Sequence, residues 1–235
     1  MGTKDSSRKA VSGYLLLAIV LFSGLCRVFA NEGTGSGTQD LLNGLLIEAV
    51  VDKVDVRSAT QLLEKGADPN ADTSHIQRPS LVYVAAIEHT GYLSSSAAEA
   101  FGRRDNPMFE VLLDHGAEFR ESTLPCLLAA RGGLYELSYA LENGHITIDY
   151  RNPNDKRTLL ICALGTNDAD TSAGIVRWLL PRGVDVLAED AEGKTALDHI
   201  KKVLTLDRAK SNRRGWERVE DLIFQATVDK LTDQR

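Results

Sequence analysis

Cysteine is scarce in this chain. Three occur in 235 residues, Cys26, Cys126 and Cys162, too few for the disulfide framework of a small secreted scaffold. A surplus of positive charge is also lacking. The formal net charge is −6, which argues against a general nucleic-acid binder, since that function calls for a basic face. The histidines are His75, His89, His115, His145 and His199, and no pair has the HExxH spacing of a zinc protease. No glycine-rich loop is placed to cradle phosphate, and no DxDxDG loop with a distal glutamate offers calcium ligands. Acid-and-amide clusters at 152–155, 167–170 and 189–192 fall where the chain should turn, as Asn and Asp favour. A binding role without cofactor or metal is therefore expected rather than an enzyme. The enzyme alternative is confined to Glu88, His89 and the serines Ser94, Ser95 and Ser96.

Long apolar runs are lacking too, apart from one near the start. Lys4, Arg8 and Lys9 precede an unbroken apolar stretch at residues 14–22, and Val28-Phe29-Ala30 follows. This is the layout of a secretory signal peptide covering residues 1–30, with cleavage after Ala30. A membrane span needs about 20 apolar residues, and this run is shorter and is followed by Arg27. The segment also carries a myristoylation-like Met1-Gly2 start, which translocation would override. Cys26 sits in a faint lipoprotein-like context, but Leu25 is large for the residue before an acylated cysteine. Cleavage would remove four positive charges and one negative charge, taking the net charge from −6 to −9. The expected location is periplasmic or secreted, with no stable membrane insertion after cleavage. Residues 31–38, rich in Gly, Ser and Thr, read as a flexible lead-in.

What is present is a phrase repeated four times: two apolar residues, two others, then glycine. It reads Leu62-Leu63-Glu64-Lys65-Gly66, Leu112-Leu113-Asp114-His115-Gly116, Ala140-Leu141-Glu142-Asn143-Gly144 and Leu179-Leu180-Pro181-Arg182-Gly183. Each apolar pair reads as the last turn of a helix, and each glycine as the exit where φ turns positive. A second element recurs upstream, a short apolar run ending in alanine: residues 45–49, 81–86, 125–130 and 159–163, with a fifth copy opening at Gly193-Lys194-Thr195-Ala196-Leu197-Asp198. Each unit is thus helix, turn, helix, glycine exit and loop, the signature of a stacked-repeat protein.

These residues resemble the ankyrin repeat. Residues 62–70 (LLEKGADPN) are similar to the second half of the family motif, residues 112–117 (LLDHGA) nearly as similar, and Thr195-Ala196-Leu197-Asp198 resembles a final repeat. The resemblance implies an all-α solenoid of about five helix-turn-helix units over residues 39–205. The alanine-to-glycine spacings are 17, 31, 15 and 20, so the second unit carries an insertion at about residues 90–106 and the fourth a smaller one at 165–173. The glycine-to-alanine spacings of 19, 13 and 19 show a clipped loop between the second and third units. The motif histidine is replaced by Tyr83, Leu127, Ile161 and Asp198, so the bonds it gives the turn must come from elsewhere or be lost. Residues 206–235 follow as a C-terminal capping helix, with Trp216, Val219, Leu222, Ile223 and Ala226 on one face. An amphipathic helix for docking a partner is the alternative.

Cys126 and Cys162 fall on first helices of neighbouring units. Stacked helices lie about 8–10 Å apart and a disulfide needs Cα atoms within about 7 Å, so small buried residues are expected rather than a bond. The resemblance implies partner contacts on the loop fingers at 71–78, 150–157 and 187–192, and among their residues aromatic and arginine side chains carry most energy at interfaces. The candidates are Ile76, Arg78, Tyr150, Arg151 and Arg157, with Tyr92 and Phe101 from the insertion. The resemblance implies a monomeric binder of another protein, of the kind that blocks or protects against a cell-wall enzyme or toxin. A scaffold for a secreted enzyme, an effector binding a host protein and an envelope tether are the alternatives.

Overall fold

The computed structural model describes residues 35–88, 105–120 and 122–233. The expected signal peptide, Tyr92, Phe101 and most of the expected insertion lie outside these residues. All regular structure described is helical, apart from one isolated antiparallel bridge between Arg151 and Thr158.

The helices come in pairs. α1 (Gly35–Ile47) continues into a π-helical turn (Glu48–Asp52) and is followed by α2 (Val56–Glu64). α3 (Leu81–Tyr83) likewise continues into a π turn (Val84–Glu88) ahead of α4 (Pro107–Asp114). α5 (Leu124–Arg131) pairs with α6 (Leu134–Glu142), and α7 (Leu159–Ala163) with α8 (Ala169–Leu179). α9 (Ala196–Thr205) is joined through the short α10 (Asp207–Lys210) to α11 (Arg213–Asp233).

The starts of the helices are written in their caps. Ser80, Thr158 and Thr195 close three first helices by accepting the N–H three residues on, and Asp198 completes a capping box at Thr195. Asp55, Asn106 and Asp168 do the same for three second helices. The ends are equally regular. The Ala67 N–H bonds Leu62 C=O at 2.9 Å and the Gly66 N–H bonds Leu63 C=O at 2.9 Å; Ala117 to Leu112 and Gly116 to Leu113 repeat the pattern, both at 2.9 Å. This is the Schellman exit. All four exit glycines have positive φ, between 75° and 94°.

Packing builds two layers. First helices contact first helices (the π turns of α1 and α3, then α5 with α7 and α7 with α9), while second helices do likewise (α2 with α4, α4 with α6, α8 with α11). Leu46, Val50, Leu81, Phe109, Leu112, Leu128, Leu137, Leu159 and Trp216 fill the seam between layers. Burying one such side chain contributes roughly 1.5–3 kcal/mol. Polar side chains bracket the glycine exits: Gln39 donates to Gly66 C=O within the first unit (2.9 Å), while Asn70 to Gly116 C=O (3.0 Å) and Arg120 to Gly144 C=O (3.3 Å) link successive units.

Several expectations need correction. Cys126 and Cys162 form a disulfide, with Cα atoms 5.2 Å apart. Generic helix spacing misleads here because small residues let the two helices close up. A Cβ added to Gly165 would lie 3.5 Å from the Ala130 Cβ and 3.0 Å from Cys162 C=O. Residues 35–38, placed in the lead-in, are the first turn of α1. Asn106, counted in the insertion, is the N-cap of α4. The smaller insertion at 165–173 is largely the first turns of α8. α11 does bury Trp216, Val219 and Ile223, but it also occupies the second-helix position beside α9.

Candidate interaction face

Three loops line up at the mouths of the first helices. The finger at 150–158 is a tight hairpin: Asn152 N–H donates to Arg157 C=O (2.9 Å), Lys156 N–H to Asn152 C=O (2.9 Å), and Asn154 N–H to Asn152 Oδ1 (2.9 Å). Lys156 adopts φ +61° at its tip. Arg151 donates to Glu189 C=O (2.5 Å), and Ala191 N–H to Asp155 C=O (2.8 Å), which ties this finger to the next. On its other side, the Tyr150 hydroxyl donates to Ser122 C=O (2.7 Å). The loop ending at Ser122 and the loops at 150–157 and 187–192 are therefore one hydrogen-bonded row.

The expected contact residues divide on burial. Arg78 and Arg151 are exposed, and Arg157 is half-buried with its Nε 3.3 Å from Asp155 Oδ2. Ile76 is half-buried against the core beside a short 3₁₀ turn (Ser74–Ile76). Tyr150 is only 4% exposed. It joins fingers from within and offers no ring to a partner, which removes it from the contact set. Nothing in its sequence context distinguishes an interface tyrosine from a loop anchor. Tyr92 and Phe101 lie outside the described residues.

The turn bonds left open by the absent motif histidine come from other groups. Asp190, almost wholly buried, accepts from Lys194 N–H (3.0 Å), Glu192 N–H (2.9 Å) and His199 Nε2 (2.7 Å). Burial pushes the Asp190 carboxyl up, but these three donors outweigh it and hold the group below the ordinary carboxylate value. His199 is the residue immediately after Asp198, the position searched in the repeat motif.

On the second-helix layer a polar ladder links α4 to α6. Tyr135 donates to Glu110, and Tyr139 donates to Asp114 Oδ1 (2.9 Å). Both pairs are spaced i, i+4, so two rungs form on one face of each helix. Burial, followed by the Asp114 carboxylate, pushes the Tyr139 phenol up to about 12. His145 stacks on Tyr139 with ring centroids 6.0 Å apart and lies 3.4 Å from Asp114. Beneath the ladder Asn106 donates to Glu136 Oε1 (2.9 Å), and both residues are buried, at 3% and 1% exposed.

A second concave feature is an open groove of about 790 Å³ between the end of α8 with its glycine exit and the outer half of α11. Its walls mix Arg177, Arg218 and Lys230 with Asp221, Asp229 and Asp233. Among the described residues no His, Cys, Asp and Glu cluster is arranged to hold a metal ion, and no helix is long and apolar enough to cross a membrane. No protein-family model matches the chain, and neither does any curated protein sequence.

Proposed function

We propose that the chain is an exported ankyrin-repeat protein that binds one partner protein through its finger row, inhibiting or protecting against an enzyme or toxin in the cell envelope. The observation that carries the binding role is the row itself. Three consecutive loops are held to one another by Tyr150, Arg151 and the Asp155–Ala191 bond, so the face presented is ordered before any partner arrives. Preorganisation of that kind lowers the entropic cost of association. The repeated Schellman exits and the two helix layers support the ankyrin reading. The disulfide supports export, because such bonds persist in oxidising compartments and are rare in the cytosol.

Capture from an envelope fraction tests this. Full-length protein with a C-terminal tag would be compared with Arg157→Ala/Glu192→Ala, both on the row, and with Glu142→Ala, an exposed position on the second-helix layer. A partner retained by the second variant and lost by the first is the expected result. Equal capture by both would remove the finger row from the proposal. N-terminal sequencing of the exported protein should begin at Asn31.

A further inference from the structure

Each cysteine of the disulfide sits on a first helix that follows a loop of the row. Cys126 is the third residue of α5, four residues after Ser122, and Cys162 is the fourth residue of α7, four residues after Thr158 at the end of the hairpin. The covalent bond therefore lies about one helical turn below two neighbouring loops of the row. The same two fingers are joined further along by the Tyr150–Ser122 bond. Cys162 is buried, while Cys126 is half-buried and remains reachable.

We infer that the Cys126–Cys162 disulfide is a redox-controlled staple of the interaction face: intact, it fixes the loop at Ser122 and the finger at 150–157 against each other, and reduction by a dithiol sets them free. The inference rests on the finger row being the binding face, but the staple itself is measured without any partner. The chemistry is a two-electron, two-proton exchange. A thiolate of the dithiol attacks the more reachable Cys126 Sγ, the Sγ–Sγ bond breaks, and Cys162 leaves as a thiolate that takes a proton. The second thiol of the reagent, deprotonated, then attacks the mixed disulfide. It departs as the cyclic disulfide, and the Cys126 thiolate takes the second proton.

Reduction leaves the hydrogen bonds of the row in place but removes their covalent boundary. Tyr150 and Ser122 must then hold a seam that thermal opening can separate, since exposed loops lie at the low end of local stability. The first unit is far along the stack from this bond. In a solenoid each unit contacts only its neighbours, so its exchange should not respond.

Amide hydrogen exchange on the full-length protein, oxidised and after treatment with dithiothreitol, reads the effect. The expected result is at least tenfold faster exchange in peptides covering 117–122 and 150–157, reversed on reoxidation, with the Leu62–Ala67 exit unchanged. Cys126→Ala/Cys162→Ala should behave like the reduced protein, and the reversible reduction of the wild type provides the measurement if that variant fails to fold. Equal exchange in both redox states would overturn the inference, and so would acceleration of the first unit to the same extent. Failure to capture a partner would count against the binding proposal and leave the exchange result standing.

Discussion

Asn106 performs three tasks with one side chain. Its carbonyl oxygen caps α4 at Phe109 N–H, and its amide donates to Ala85 C=O (3.1 Å) and to the buried Glu136 (2.9 Å). An N-cap contributes about 1 kcal/mol, and stripping a donor from a buried acceptor costs about 1–3 kcal/mol more. Asn106→Ala should therefore lower stability by about 2–4 kcal/mol, seen as a shift of the urea midpoint. Asn106→Asp keeps the cap but sets a carboxylate against Glu136, so it should not rescue the loss. Asp190 gives a pH signature at the same scale. Its folded-state pKa lies below the unfolded value, so its stabilisation is present above the unfolded pKa, near pH 4, and is lost as pH falls through the folded value. Asp190→Asn should flatten the fall in melting temperature below pH 4.

At the scale of elements, two glycines that look alike in sequence have opposite roles. Gly116 leaves α4 at φ +90° with open space around it, so Gly116→Ala meets only backbone strain, about 1–2 kcal/mol. Gly44 lies within α1, exposed, with nothing within 4 Å of an added Cβ. Gly44→Ala should stabilise by about 0.5–1 kcal/mol. Chemical denaturation of the pair checks both signs. The exit glycines were legible because a repeated phrase fixes a repeated backbone state. The helix pairs were legible because leucine and alanine recur at fixed intervals. The disulfide was not legible, since it depends on how closely two helices approach, which small residues such as Gly165 and Ala130 decide jointly. Nor was the burial of Tyr150, whose partner Ser122 is 28 residues away. Finger-to-finger bonds to carbonyls, such as Arg151 to Glu189, leave no mark in residue type.

The described helices form a row of pairs whose contacts pass from neighbour to neighbour, and the far end of that row is held by α11. Trp216 is fully buried there, on the helix that packs against both α8 and α9. Beyond Ile223 no residue of α11 is buried, and Phe224 is 53% exposed. The two aromatics on one helix should thus differ sharply. Trp216→Ala removes a large core side chain at a cost of about 3–5 kcal/mol, whereas Phe224→Ala should stay within about 0.5 kcal/mol. Because stability in such a stack is a sum of unit and interface terms, the loss at Trp216 should be local. Amide exchange would quicken in α8, α9 and α11 and remain slow in α1 and α2. If exchange quickened evenly from α1 to α11, the chain would be unfolding as one cooperative block, and the layered arrangement would not govern its energetics.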